Sequence, residues 1–241
     1  VTAPDPPGAA VRLGERTWTE LADDRLRTVL VPIGSLEQHG PHLPLDTDAR
    51  IAAAVARRAA AGDPALLLAP PLAYGASGEH EGFPGTLSIG HEALRVVLVE
   101  LGRSAARWAA RLVFVNGHGG NLPTVPEAVS QLRAEGRDAT WAGSVVPGGD
   151  AHAGRTETSI LLALDPTLVR VDAVEPGNPA PLAELLPMLV RGGVAAASPN
   201  GVLGDPRGAT AAEGDRLLTD MVTELRAAVS RWQPDDRGRL R

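Results

Sequence analysis

With 241 residues, 44% of them hydrophobic, the chain suits one globular domain, and its core must come from Ala, Leu and Val because aromatics supply only 3%. A formal charge of -6 excludes the basic face that nucleic acid requires, and no apolar run approaches the roughly 18 residues that cross a bilayer. Cysteine and lysine are absent and all 23 basic residues are Arg, which excludes thiolate metal sites, Schiff-base chemistry and a P-loop lysine. Any metal must then be held by His and carboxylates.

The expected location is the cytoplasm, with neither nucleic acid nor membrane as partner, since no charged-then-apolar leader opens the chain. Residues 1–12 (VTAPDPPGAAVR) are predicted to form a flexible lead. A single catalytic domain over residues 13–233 follows, and residues 234–241 form a polar tail expected to fray. Within the domain, Thr28–Gly34 is a β-branched apolar run closed by Gly and reads as a buried strand. Thr47–Ala61 is Ala-rich and helical, with Asp46 or Thr47 as N-cap. Ala65–Ala69 is a second strand stopped by Pro70-Pro71, and a Gly-rich loop spans Tyr74–Gly90. His91–Ala110 carries helical periodicity, Leu112–Asn116 is a third strand, Val125–Glu135 a helix and Ala139–Val146 a fourth strand. Further helices are predicted over Thr156–Leu164, Pro181–Val190 and Thr210–Trp232. Strands alternating with helices imply an α/β fold with a mostly parallel central sheet covered on both faces.

In such sheets ligands sit at the loops that leave the carboxyl ends of the strands. The chemically distinctive residues fall in those loops. Glu37-Gln38-His39-Gly40-Pro41-His42-Leu43-Pro44-Leu45-Asp46-Thr47-Asp48 packs two His and three acids directly behind the first strand. Imidazole and carboxylate together suit a divalent metal, and Gly and Pro fold several such groups back toward one point. The alternative is a solvated polar loop. Asn116-Gly117-His118-Gly119-Gly120-Asn121 follows the third strand, where flanking glycines let backbone approach a ligand. It is not a dinucleotide fingerprint, because position 122 is Leu. His152 and Glu157 lie in Asp150-Ala151-His152-Ala153-Gly154-Arg155-Thr156-Glu157. By itself Glu157 reads as an acid in the first turn of a helix, where the dipole favours it. Four of the six His fall in these three loops, His80 lies beside Glu81 in the Tyr74–Gly90 loop, and only His91 looks like an ordinary helix-start residue. There is no G-x-S-x-G elbow and no H-E-x-x-H.

These blocks resemble the creatininase family, carried by VPIGSLEQHGPHLPLDTD (31–48), YGASGEHEGFPGTLSIG (74–90), FVNGHGGN (114–121) and GGDAHAGRTETS (148–159). The likeness continues through GNPAPLAELLP (177–187), RGGVAA (191–196) and GDPRGATAAEG (204–214), and covers residues 28–233. It implies a three-layer α/β/α fold and two divalent metals per subunit, Zn, Fe(II) or Mn. Glu37, His39, Asp48 and His118 match the family's ligands, with Asp48 shared by both ions. Creatininase itself has a ligand Glu where this chain has Gly120. In members with a second Gly the Glu of the H-A-G-x-x-E-T motif takes its place, here Glu157, and His152 matches the proton-transfer histidine. His42, His80, Glu81, Asn116, Gly119, Gly120 and Asn121 are expected to support ligands or substrate.

The whole-chain likeness is to the branch of the family that trims ribosomal precursor peptides. It implies a peptide whose C-terminal Val-Tyr has been decarboxylated and cross-linked, with hydrolysis of the preceding amide. It also implies a closed homo-oligomer of six or eight subunits, with loops 74–90 and 178–200 near the subunit contacts. The rival readings are hydrolysis of a cyclic amide or formamide, and a non-catalytic metal-binding scaffold.

Overall fold

The structure is a computed structural model, which describes residues 8, 10–22, 27–144, 146 and 148–241. Five parallel strands make one sheet in the order β1-β3-β2-β4-β5: β1 (Val11–Arg12), β2 (Thr28–Ile33), β3 (Leu66–Leu68), β4 (Arg111–Asn116) and β5 (Ala139–Gly143). The two central strands pair along their whole length, from Thr28 opposite Arg111 to Ile33 opposite Asn116. All six residues of β2 are buried, which is why its sequence reads as an unbroken apolar run rather than an alternation.

Strand period two divides these residues between the faces. On one side Leu30, Val113 and Val115 pack with Ile51 and Val55 of α2 (Thr47–Ala60), Ile160 and Leu161 of α5 (Arg155–Leu164), and Leu218, Val222 and Leu225 of α7 (Ala211–Arg231). On the other, Val29, Val31, Ile33, Leu112 and Phe114 meet Leu94 and Leu98 of α3 (Gly90–Ala105) and Val125, Val129 and Leu132 of α4 (Val125–Ala134). The result is the α/β/α arrangement expected. A third apolar cluster lies under α6 (Leu182–Ala197), where Leu185, Val194 and Leu203 gather with Phe83 from the Gly-rich loop.

Several boundaries move, each for a local reason. The predicted helix to Ala110 ends at Ala105, because the chain turns through Trp108 N–H to the Ala105 carbonyl (3.1 Å) to bring Arg111 opposite Thr28. The strand expected to reach Val146 stops at Gly143; Val145 lies outside the described residues. Helix α6 runs past Val190 to Ala197, across a kink where Gly193 adopts φ 67°, because the apolar residues beyond it, Val194 and Ala197, are buried. Asp46 is the N-cap position of α2, but its carboxylate turns to Arg50 (2.6 Å) instead of capping. A short helix, α1 (Trp18–Leu21), was not anticipated; its capping-box signal is Thr17-x-x-Glu20, with Glu20 Oε2 accepting from the Thr17 N–H at 2.7 Å.

The ends need two corrections. Of the lead predicted flexible, residues 1–7 and 9 lie outside the described residues, but Val11–Arg12 are paired with β3. The tail does not fray: Leu240 donates to the Trp141 carbonyl (2.8 Å), Trp141 to that of Gly238 (3.0 Å), and Leu240 is 4% exposed. Asp235 organises this return by accepting from the N–H groups of Arg237 (3.0 Å) and Arg239 (2.9 Å). The tail's polar composition hid one apolar anchor. Leu240→Ala is therefore expected to cost about 2–4 kcal/mol in urea unfolding followed by tryptophan fluorescence; a loss near zero would mean that the tail is not docked in solution.

Candidate metal centre

Two glycines at strand ends build the site. A Cβ on Gly34, just after β2, would stand 2.3 Å from the Ala49 nitrogen, and one on Gly117, just after β4, 2.7 Å from the Asp48 carbonyl oxygen. Without those atoms, the first turn of α2 presses onto the carboxyl ends of both central strands. Asp48, the second residue of α2, is thereby held between the loops that follow them, with its Oδ2 accepting from the Ser35 hydroxyl at 2.7 Å. The loop after β4 is tied in turn: Asn116 Nδ2 donates to the His118 carbonyl (2.8 Å), and Asn121 Nδ2 to the Gly34 carbonyl and Asn116 Oδ1 (both 3.1 Å). Asn116 and Asn121 are thus engaged in shaping the loop, one of the two roles open to them from sequence.

Around Asp48 the side chains converge. Its Oδ1 is 3.0 Å from His39 Nε2 and its Oδ2 3.0 Å from His118 Nδ1. Glu37 Oε2 lies 3.2 Å from His118 Nε2, and Glu157 Oε2 lies 3.9 Å from His39 Nε2. Three groups of donor atoms are spaced to hold a cation: Glu37, Asp48 and His118; His39, Asp48 and Glu157; and Glu37, His39 and His152. The first two share Asp48. Glu37 is fully buried, yet neither carboxylate oxygen accepts a hydrogen bond, although imidazole nitrogens stand 3.2 and 3.3 Å away. Buried carboxylate lone pairs that no hydrogen bond satisfies are what a bound cation requires, so the donor set fits divalent metal.

The electrostatics agree. Among the described residues the ion pairs of Glu37, Asp48 and Glu157 are to histidines alone, with no arginine against them. Burial opposes a charge on His39, but Asp48, assisted by Glu157 and Glu37, overrides it and raises the pKa to about 10. His118 likewise goes well above its ordinary value, against burial, through Glu37 and Asp48. Burial would also raise the Asp48 carboxyl, yet His39 and His118 hold it well below the usual range. Burial, joined by the charge of Asp48, pushes Glu157 up to about 7 even though His39 opposes it. Without a metal, the enclosed acids are balanced by protons on His39 and His118, the very imidazoles that a metal would need neutral.

Gln38 and Ser35 are participants the sequence reading missed. Gln38 Nε2 lies 2.9 Å from His80 Nδ1, while its Oε1 accepts from the Gly40 N–H (2.8 Å), which fixes the amide's orientation. His80 Nδ1 is therefore the acceptor, leaving its Nε2–H toward Glu37 Oε1 at 3.3 Å. His152 Nε2 faces the Gln38 carbonyl at 2.8 Å and so carries the proton; its Nδ1 lone pair is turned toward Glu37 Oε1 at 3.8 Å. Burial, with neighbouring imidazoles next, pushes both His80 and His152 down to about 3. Glu157 also accepts from the Ala153 N–H (2.6 Å) at the start of α5, so both of its sequence readings have a contact behind them. His42 reaches away to Thr158 Oγ1 (2.9 Å), linking the loop to α5. Glu81 is exposed and is not brought to the centre, because the turn at Gly78–His80 carries Glu79 inward instead. That residue, overlooked in the sequence, places Oε1 3.6 Å from His118 Nε2. Gly119 and Gly120 follow His118 in a single turn, and His91 bonds Thr124 (2.8 Å) as an ordinary helix-start residue.

A parallel α/β/α sheet with acids and imidazoles clustered at its carboxyl edge is a setting for metal-assisted hydrolysis, and the relatives of this chain are amidohydrolases and peptidases. The profile described as Creatininase: Creatinine amidohydrolase matches residues 14–229, and the chain belongs to the creatininase family. It is 61% identical over 221 residues to a protein named mycofactocin precursor peptide peptidase from Mycobacterium ulcerans (strain Agy99), covering 88% of each chain. Among solved structures, a creatininase described as Creatininase Mn superposes with TM-score 0.77 at 28% identity, covering 93% of this chain and 100% of the other. A creatininase mutant of Zn-Zn type does so with TM-score 0.77 at 28% identity, covering 93% and 99%.

Replacing Gln38 by Leu removes the amide that orients His80 while keeping side-chain volume. Hydrolysis by that variant is expected to fall about 10–100-fold. A wild-type rate would show that other contacts orient the imidazole.

Proposed function

We propose that the chain is a two-metal peptidase of mycofactocin maturation, hydrolysing an amide near the C-terminus of a modified ribosomal precursor peptide and freeing the cross-linked Val-Tyr-derived dipeptide. The observation that carries the metal reading is the pair of donor groups sharing Asp48, with Glu37 enclosed and neither of its oxygens accepting a hydrogen bond. Support for the substrate comes from the relative at 61% identity and its name. A cavity of about 410 Å³ beside the centre adds to it, because Glu157 and Gly119 line it together with the apolar Leu122, Ile160, Pro181 and Leu203. Among the described residues its charged lining is Asp150 and Glu157, with no arginine, which suits a bulky apolar end that has lost its carboxylate.

Glu37, Asp48 and His118 would hold one ion and His39, Asp48 and Glu157 the other, Zn, Fe(II) or Mn being compatible with these ligands. Such ions supply an activated water at neutral pH and polarise the scissile carbonyl. Everything else falls to the chain. His152, anchored through Nε2–H on the Gln38 carbonyl, presents Nδ1 to take up a proton and deliver it to the leaving nitrogen. Backbone N–H groups of Gly119 and Gly120 are the donors for the developing oxyanion. Ser35 and Ala153 each fix one carboxylate oxygen, so the ligands are oriented before substrate arrives.

The test is incubation of metal-loaded protein with the modified precursor, read by mass spectrometry. Release of the C-terminal dipeptide is expected, and an intact precursor would reject the assignment. Metal analysis probes the ligands: Asp48→Ala should lose both ions and His118→Ala mainly one. Glu157→Gln should lower occupancy and rate, whereas two ions and a normal rate would leave Glu157 as a helix-capping acid only.

The proposal extends to a closed homo-oligomer, a hexamer or octamer. Loop 74–90, expected near the subunit contacts, has a packing partner in its own chain, since Phe83 lies under α6. On α6, Leu185 is buried, but Leu182 (48%), Leu186 (49%) and Val190 (84%) remain exposed one turn apart. That stripe is the feature now supporting self-association. Light scattering on dilute protein should give a multiple of 25.0 kDa; a fully active monomer would refute it.

A further inference from the structure

Glu79 is an acid at the centre that neither donor grouping nor loop shaping uses. It sits in the short turn Gly78–His80, pressed beneath the kink of α6, where a Cβ on Gly193 would stand 2.5 Å from the Glu79 carbonyl oxygen. Its Oε1 lies 3.6 Å from His118 Nε2 and 4.0 Å from His80 Nε2, yet it belongs to none of the three groups of converging donors. The side chain is 31% exposed, against 0% for Glu37 and 3% for Asp48, so it faces the approach to the centre rather than its interior.

Gly120 opens the space it occupies. A Cβ at that position would meet Glu79 Oε1 at 2.3 Å, His118 Nε2 at 2.4 Å and the Ala76 carbonyl oxygen at 2.5 Å. Any side chain at 120 would drive the carboxylate from its place over His118. Among the described residues the ion-pair partners of Glu79 are these two imidazoles, with no arginine. A partly enclosed carboxylate without a permanent cation is suited to take one from a ligand.

We infer that Glu79 holds the amine side of the scissile bond, accepting a hydrogen bond from the amide N–H of the substrate and pairing with the primary ammonium of the leaving fragment. The inference rests on amide hydrolysis at the adjacent centre. In that reaction water adds hydroxyl to the carbonyl carbon, the C–N bond breaks, and the nitrogen departs with the electron pair and takes up the proton. At neutral pH the freed primary amine gains a second proton from solvent and becomes a cation. A carboxylate at this position favours the fragment that becomes positive, and a neutral acylated amine lacks the charge that it would read.

The experiment compares metal-loaded wild type and Glu79→Gln at pH 7 for binding of 2-phenylethylamine and its N-acetyl derivative by calorimetry, with metal content measured on the same samples. Wild type is expected to prefer the ammonium by about tenfold or more, and Glu79→Gln to lose that preference with metal content unchanged. Glu79→Ala serves as the second variant if the Gln substitution disturbs folding. Equal affinities in the wild type, or an undiminished preference in the variants, overturn the inference. So does loss of metal, which would make Glu79 a ligand. Precursor cleavage by the wild type is scored separately: its failure removes the peptidase reading, while the amine comparison still reports on Glu79.

Discussion

The pressure of helix α2 onto the ends of β2 and β4 is the constraint on which the centre depends. It is possible only because Gly34 and Gly117 put no Cβ where Ala49 and Asp48 stand. Main-chain contact at that distance leaves little freedom for the first turn of α2. Asp48 is consequently positioned by backbone packing, and its side chain needs only Ser35 to complete its orientation. Preorganisation of this kind spares the site the entropy of gathering its ligands at the moment of binding.

Charge then follows from position. Glu37 and Asp48 are sealed in the sheet edge, Glu157 leans in from α5, and among the described residues no arginine pairs with them. Such a set is unstable as bare carboxylates and is relieved either by protons on His39 and His118 or by a divalent cation that displaces those protons. The same logic explains why Gln38 matters. By bonding His80 on one side and presenting its carbonyl to His152 on the other, it directs two imidazoles that burial keeps neutral, although it carries no charge itself.

Around this edge the family's sheet is combined with a separate small cluster under α6. Gly193 lets α6 bend so that Val194 and Ala197 reach that cluster, and the bend seats the Glu79 backbone. One irregularity in a helix therefore determines where a carboxylate stands more than 100 residues earlier in the chain. Position 120, a glycine here, is coupled to the same place from the opposite side.

Much was legible in the sequence because it depends on local period and residue chemistry. Unbroken apolar runs marked β2 and β4, an Ala-rich segment marked α2, and His and acids placed just after strands pointed to the carboxyl edge of a parallel sheet. The coarse donor set, Glu37, His39, Asp48, His118 and Glu157, needed only the rule that ligands gather at strand ends, joined to a family resemblance. What the tertiary structure alone decided was which neutral or neighbouring groups face that set. Gln38 looks like any loop amide, and Glu79 and Glu81 are equivalent by composition. The path of the Gly-rich loop beneath α6 turns Glu79 inward and leaves Glu81 in solvent. Leu240 was hidden for the same reason, since a single apolar residue in a charged tail has no period to announce it and is buried only because Trp141 offers it an edge. Periodicity reports which residues want burial; contacts between segments distant in sequence decide where a polar side chain ends up, and no local pattern encodes them.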